Sequence, residues 1–289
     1  MDKGELIITL NRLGMLRRIT LLIFFIFHSS LFTLHSQSLD YSELVRQGMD
    51  ALSGDSLLQA DSLFRQAMQQ EPTHQGNHIL FRYLGRIKER QGRDQEALDL
   101  YTSGLNLSPK DMELRLDRAA LLYRMGNQAR AASDYSDVLD LQPENMEALQ
   151  MRAHIYAGMH DYKRARADYE TILTIEPLDE KAYIGLILVN DRSGRPREAM
   201  EQINALIAVY PRHAVLYAIR GGMEQHRRLY EQALADLTQA IEMEPENADF
   251  YVSRATLYLE MKKRKLARHD TQMAIKYGAD PIEMASLLK

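Results

Sequence analysis

Small and bulky apolar positions recur along this chain at a spacing of 34 residues. Alanine stands at Ala97, Ala131, Ala165, Ala199, Ala233 and Ala267; four residues after each comes Tyr101, Tyr135, Tyr169, Ile203, Leu237 and, as the exception, Thr271. Twelve residues before each alanine the position is small in five copies, Gly85, Ala119, Ala153, Gly221 and Ala255, and Ile187 departs. Small side chains let two helix backbones approach while a bulky one fills the space beside them. The spacing therefore predicts antiparallel helix pairs, helix A then helix B, stacked one pair upon the next. Proline punctuates the same register: Pro109, Pro143, Pro177, Pro211 and Pro245 are 34 apart, Pro72 and Pro281 extend the series at slightly longer steps, and Pro196 alone is out of register. The residue before proline is driven out of helical geometry, so Gln142-Pro143 and Glu244-Pro245 close helix B.

A second regularity rides on the first. The seventh position of a window is Arg118, Arg152, Arg220 or Arg254, and the twenty-third position of the same four windows is Asp134, Asp168, Asp236 or Asp270. The other two complete windows carry neither, with Leu84 and Leu100 in one and Leu186 and Gln202 in the other. Residue types that come and go together within a repeat predict ion pairs between its helices A and B, structural in role.

The pattern resembles the tetratricopeptide repeat, with its small residues near the eighth and twentieth positions and proline near the thirty-second. Six windows run from residue 78 to 281, and a seventh copy fits residues 41–74 through Gly48, Ala60, Phe64, Ala67 and Pro72. The expected fold is all-α, a right-handed superhelical solenoid of about seven helix pairs over residues 41–281. Asp280-Pro281 reads as an N-cap and first helical residue of a short capping helix over 282–289. So short a cap is expected to leave the terminal face partly uncovered and available for self-association. The resemblance implies a groove lined by helix A residues. On that mapping Arg82, Arg86 and Arg90 form a cationic stripe at one end, followed by Tyr123, Arg124 and His154. The floor then turns apolar or small with Leu188, Ala218, Gly222 and Leu259. An extended peptide or protein segment with one apolar anchor and a separate acidic cluster is the expected ligand.

Composition removes several chemistries. The chain has no cysteine, which excludes disulfides, thiolate metal sites and a cysteine nucleophile. His74 and His78 stand four apart but lack a third ligand, so no metal site is expected, and no phosphate-binding or dinucleotide fingerprint implies a cofactor. Repeats consume the chain and leave too little for a catalytic domain, so the expectation is a non-enzymatic adaptor. A structural subunit of a cell-envelope assembly, using its convex face and ends, is the alternative. At the N-terminus Arg17-Arg18 precedes the apolar run from Ile19 to Phe27, and Leu34-His35-Ser36 follows. This is a secretory signal layout over residues 1–36, starting at Met15, and it places the protein in the periplasm or cell envelope, where a membrane-associated complex is a candidate partner. An uncleaved anchor is the competing reading. Removing residues 1–36 takes away more basic than acidic groups from a chain of formal net charge −4, and an acidic protein is a poor nucleic-acid binder. The mature N-terminus is expected at Gln37, which N-terminal sequencing checks; a membrane-retained product beginning at Met1 would overturn the leader.

Overall fold

A computed structural model describes residues 39–288, and the signal-peptide expectation for residues 1–36 lies outside them. All fifteen elements among the described residues are α-helices, and they fall into two compact units divided after Pro109. None is long and apolar enough to cross a membrane.

The first unit holds α1 (Tyr41–Ser53), α2 (Leu57–Gln70), α3 (Asn77–Arg90) and α4 (Asp94–Leu107), packed as pairs α1/α2 and α3/α4. The missing side chains of Gly48 and Gly85 set the closeness of each pair. A β-carbon on Gly48 would stand 2.5 Å from the Phe64 ring, and one on Gly85 would stand 2.3 Å from that of Tyr101. Neither distance is compatible with a real side chain, so the aromatic ring of helix B lies directly on the backbone of helix A. The longer step between Pro72 and Pro109 is taken up by a fastened loop: Asn77, buried, donates to the carbonyls of Glu71 and Pro72 at 2.8 and 3.2 Å and accepts from the Tyr41 hydroxyl at 3.1 Å. His74 stacks on Tyr41 at 3.9 Å and its Nδ1 accepts from the Gly76 amide.

The second unit stacks five pairs and a terminal helix. In order they are α5 (Met112–Arg124) with α6 (Gln128–Leu141), α7 (Met146–Gly158) with α8 (Tyr162–Ile175), and α9 (Glu180–Arg192) with α10 (Pro196–Val209). Then come α11 (Ala214–His226) with α12 (Tyr230–Met243), α13 (Ala248–Glu260) with α14 (Arg264–Lys276), and α15 (Pro281–Leu287). Four of the five proline-side links from Pro109 to Pro245, all but the one after Pro211, end in a helix cap that the periodicity of apolar residues does not display. Asp111, Asn145 and Asp179 accept from the amides of Leu114, Ala148 and Ala182 at 3.0, 2.9 and 2.6 Å, and Asn247 accepts from Asp249. Each such cap contributes about 1 kcal/mol by satisfying an amide the helix cannot bond itself.

The paired arginines and aspartates meet as forks. Arg118 Nε and Nη2 donate to Asp134 at 2.8 and 2.7 Å, Arg152 to Asp168 at 2.9 and 2.7 Å, Arg220 to Asp236 at 2.7 and 2.7 Å, and Arg254 to Asp270 at 2.7 and 3.0 Å. The third nitrogen reaches back to the preceding repeat: Nη1 of Arg152, Arg220 and Arg254 donates to Ser136, Asn204 and Thr238 at 3.0, 2.8 and 3.2 Å. One guanidinium thereby ties three helices together. The link to the preceding repeat was absent from the sequence reading, because Ser136, Asn204 and Thr238 share a position but not a residue type.

The repeat from 180 to 213 is built differently. Ile187 fills the position where other pairs carry alanine or glycine, and the branched side chain holds α10 off. In consequence α9 packs on the preceding α8 as extensively as on its own partner. The close approach moves there too: a β-carbon on Gly185 would stand 2.3 Å from Tyr169 of α8. In place of the ion pair, buried Asn190 donates to Gln202 at 2.8 Å. At the far end α15 begins at Pro281 with Asp280 capping Ile282, and Met284 is buried against Phe250, Tyr251 and Ala274. Ile282, Leu266 and Ile275 remain exposed, so α15 covers its neighbour in part.

Arg152 and Asp168 are only 20% and 6% exposed. Arg152→Met or Asp168→Leu alone is expected to cost about 3–5 kcal/mol by leaving the other charge uncompensated, whereas the double variant lies close to neutral. Urea unfolding of the four proteins measures the coupling; additive losses would show that none exists.

Candidate functional site

The expected floor residues stand on the A helices of three successive repeats in the second unit. Leu188 of α9, Ala218 and Gly222 of α11, and Leu259 of α13 are all half-buried, flanked by Ile184 and Val252. Gly221 and Gly222 are adjacent but have separate causes. A β-carbon on Gly221 would meet Leu237 at 3.1 Å and the Ala233 carbonyl at 3.2 Å, so that glycine serves the contact of α11 with α12. A β-carbon on Gly222 would meet nothing within 4 Å. Its backbone is ordinary helix, where glycine costs about 1 kcal/mol relative to alanine. Neither packing nor conformation calls for a glycine there, and the space above it is open.

Further along the face, Tyr123 of α5 and His154 of α7 are brought together, the hydroxyl 2.8 Å from His154 Nε2 and the rings edge to face at 5.7 Å. Arg124 is exposed and has partners of its own. Gln150 of α7 lines an open hollow of about 650 Å³ with Ile175, Pro177, Leu178 and Lys181. Leu178 is 85% exposed there; it follows the link proline and so carried no helix-face signal in the sequence.

The arginine stripe belongs to α3 in the first unit and is not a row of unengaged cations. Arg90 is ion-paired with Asp55 of the preceding turn, and Arg82 and Arg86 each have partners. A neighbouring buried charge went unnoticed in the sequence: Lys88 Nζ lies 2.6 Å from Asp61 Oδ1, which ties α3 to α2. His78 Nδ1 is 2.7 Å from the Gln75 carbonyl, and among the described residues no group of three or more metal-ligating side chains converges.

One titratable group beneath the α11 face is displaced. Burial and the neighbouring Asp236 carboxylate push Glu224 up to about 7, against the opposing pull of Arg220 and Arg227. Its Oε2 is buried with no hydrogen-bond partner.

Stacked helix pairs with this close-approach register define a helical repeat protein. Residues 151–214 and 224–271 match the tetratricopeptide repeat family, and these segments carry tetratricopeptide repeats. It is similar to a tetratricopeptide repeat protein from Parabacteroides merdae, with a TM-score of 0.72 and 29% identity over 86% of this chain and 97% of that one. A thermophilic repeat protein from Thermus thermophilus aligns with a TM-score of 0.53 and 20% identity over 61% of this chain and 96% of its own. A chain of the APC/C hetero-tetramer Cut9-Hcn1 aligns with a TM-score of 0.52 and 13% identity over 90% of this chain and 57% of its own. The last two likenesses concern the fold alone. No curated protein matches the chain.

A glutamate raised from 4.5 to about 7 binds its proton in the folded state where the unfolded chain has released it. Stability therefore declines as pH rises from about 4.5 through 7, since ionisation penalises only the folded form. Thermal melting across that range should show the decline in the parent and a flatter profile in Glu224→Gln; identical profiles would rule the contribution out.

Proposed function

We propose that this chain is a non-catalytic adaptor that holds an extended segment of another protein against the helix A face of its second unit, and that it works after export, in the periplasm or cell envelope. The fold supports the general class, because stacked helix pairs display long side-chain surfaces with no single deep pocket. The observation that carries the proposal is Gly222. A mid-helix glycine with open space above it, between Leu188 and Leu259, gives up helix stability and leaves room for an apolar ligand side chain. Ala218, one turn earlier on the same face, extends that room. The acidic half of the expected ligand is the weaker part, since Asp55 already engages Arg90 and a ligand carboxylate would compete with it.

Gly222→Ala is expected to raise stability by about 1 kcal/mol. Gly222→Leu should keep the parent's helicity and melt no lower than the parent, yet abolish capture of the partner that the unaltered chain retains from its native envelope. Full capture by Gly222→Leu would remove the groove as the site and favour the envelope-subunit alternative.

A further inference from the structure

The cationic turns closing the last two helix pairs are used neither by the fold nor by the groove. Gln225 Nε2 donates to Glu260 Oε1 at 2.8 Å, so the ends of α11 and α13 run side by side and the turns after them adjoin. These turns carry Arg228, Lys262, Lys263, Arg264 and Lys265, and Arg268 follows one turn into α14. All six are exposed, and none has a side-chain ion pair among the described residues. Arg227, by contrast, is spent on Asp191. Of the nearby acids, Glu231 begins α12 and Glu260 is held by Gln225.

Local physics disfavours this arrangement in two independent ways. Arg228 and Lys262 take φ of 61° and 59°, the left-handed region that equivalent turns fill with Gly92, Gly126 and Gly194 but also with Asp55 and His160, at a modest local cost for any residue with a β-carbon. Lys263, Arg264 and Lys265 then sit at the positive end of the α14 dipole, where no acidic residue stands in the first turn and the N-cap makes no side-chain bond. Acids would suit the start of α14 better than these bases do. Set among the cations, Leu229 and Leu266 are 41% and 46% exposed.

We infer that this edge of the second unit docks on an anionic lipid surface, with the six cations facing lipid phosphates and Leu229 and Leu266 entering the headgroup layer. A protein partner fits less well, because lysine is depleted at the centres of protein interfaces and the two leucines are isolated among charges and form no contiguous apolar core. Lipid headgroups move laterally to meet cations that fan outward from a turn, and a cluster of four to eight Lys and Arg with apolar neighbours is the pattern such surfaces attract. This surface is separate from the groove, and the inference does not depend on that reading.

The test is co-sedimentation of the full chain with vesicles of phosphatidylcholine alone and of phosphatidylcholine mixed with phosphatidylglycerol. The parent should bind the mixed vesicles more tightly, and the preference should fall as salt rises. The triple variant Lys262→Gln, Lys263→Gln, Lys265→Gln should bind them about a hundredfold less tightly, from roughly fivefold per lysine near the surface. Leu266→Ser should weaken binding with the salt dependence unchanged. Any affinity contributed by the N-terminal apolar run is common to all these proteins, so the difference between parent and variant is the readout. Misfolding is separable, because relieving the helix dipole should leave the triple variant melting no lower than the parent. Equal sedimentation of parent and triple variant would overturn the inference. So would a parent that ignores the mixed vesicles while binding soluble polyglutamate, since the surface would then be an acidic-protein site.

Discussion

The close approach of helix A to helix B is the constraint on which the rest of the structure depends. Where Phe64 and Tyr101 lie on the backbones of Gly48 and Gly85, the separation of the two helices is fixed by the thickness of an aromatic ring. That separation decides whether an arginine on helix A can reach an aspartate sixteen residues on with both nitrogens of its fork. It also decides how much of helix B remains to meet the next repeat. Small residues at the crossing are thus a condition for the ion pairs as well as for the packing.

The repeat from 180 to 213 shows the dependence by its absence. With Ile187 at the crossing, the α9/α10 pair has no Arg–Asp fork, its polar contact becomes the Asn190–Gln202 bond, and the glycine–ring contact moves to Gly185 and Tyr169 of the preceding repeat. A single branched side chain redistributes packing from within a repeat to between repeats. The unit stays continuous because α9 packs on α8, and Arg166 of α8 adds a hydrogen bond to Ser193 at 3.2 Å.

Much of this was legible from spacing alone, because stacking imposes the same demand at the same position in every copy. The crossing residues, the closing prolines and the Arg–Asp register are all periodic in residue type, and the Asp280-Pro281 start of α15 was legible as a cap followed by a first helical residue. What escaped was periodic in role but not in identity. The third arginine contact falls on serine, asparagine or threonine, and the helix caps alternate between aspartate and asparagine. Lys88 with Asp61 and Arg90 with Asp55 escaped for a different reason: each joins residues of successive repeats, whereas a helix face inspected alone displays only its own side chains. Ala218 and Gly222 were legible as small residues on one helix of the expected groove. That Gly221 and Gly222 have different causes required the positions of Leu237 and Ala233.

Departures from local preference acquire meaning once the fold's own needs are subtracted. Gly48, Gly85 and Gly221 depart from helix propensity and are returned their cost in packing. Asp134 and Asp168 are buried carboxylates, each compensated by a fork. Glu224 is a half-buried carboxylate compensated only in part, and its affinity for a proton rises. After those are removed, Gly222 and the run of cations at the start of α14 remain, each unfavourable to its own helix and each facing open space. Consistency between local and global preferences is what gives a sequence a single folded state, so isolated violations that point outward concern something other than folding. The two lie on different surfaces of one repeat array. A chain that grips a partner on one face and rests against a charged surface along one edge needs no catalytic residue to do both, because each contact rests on surface area and charge that stacked helices supply.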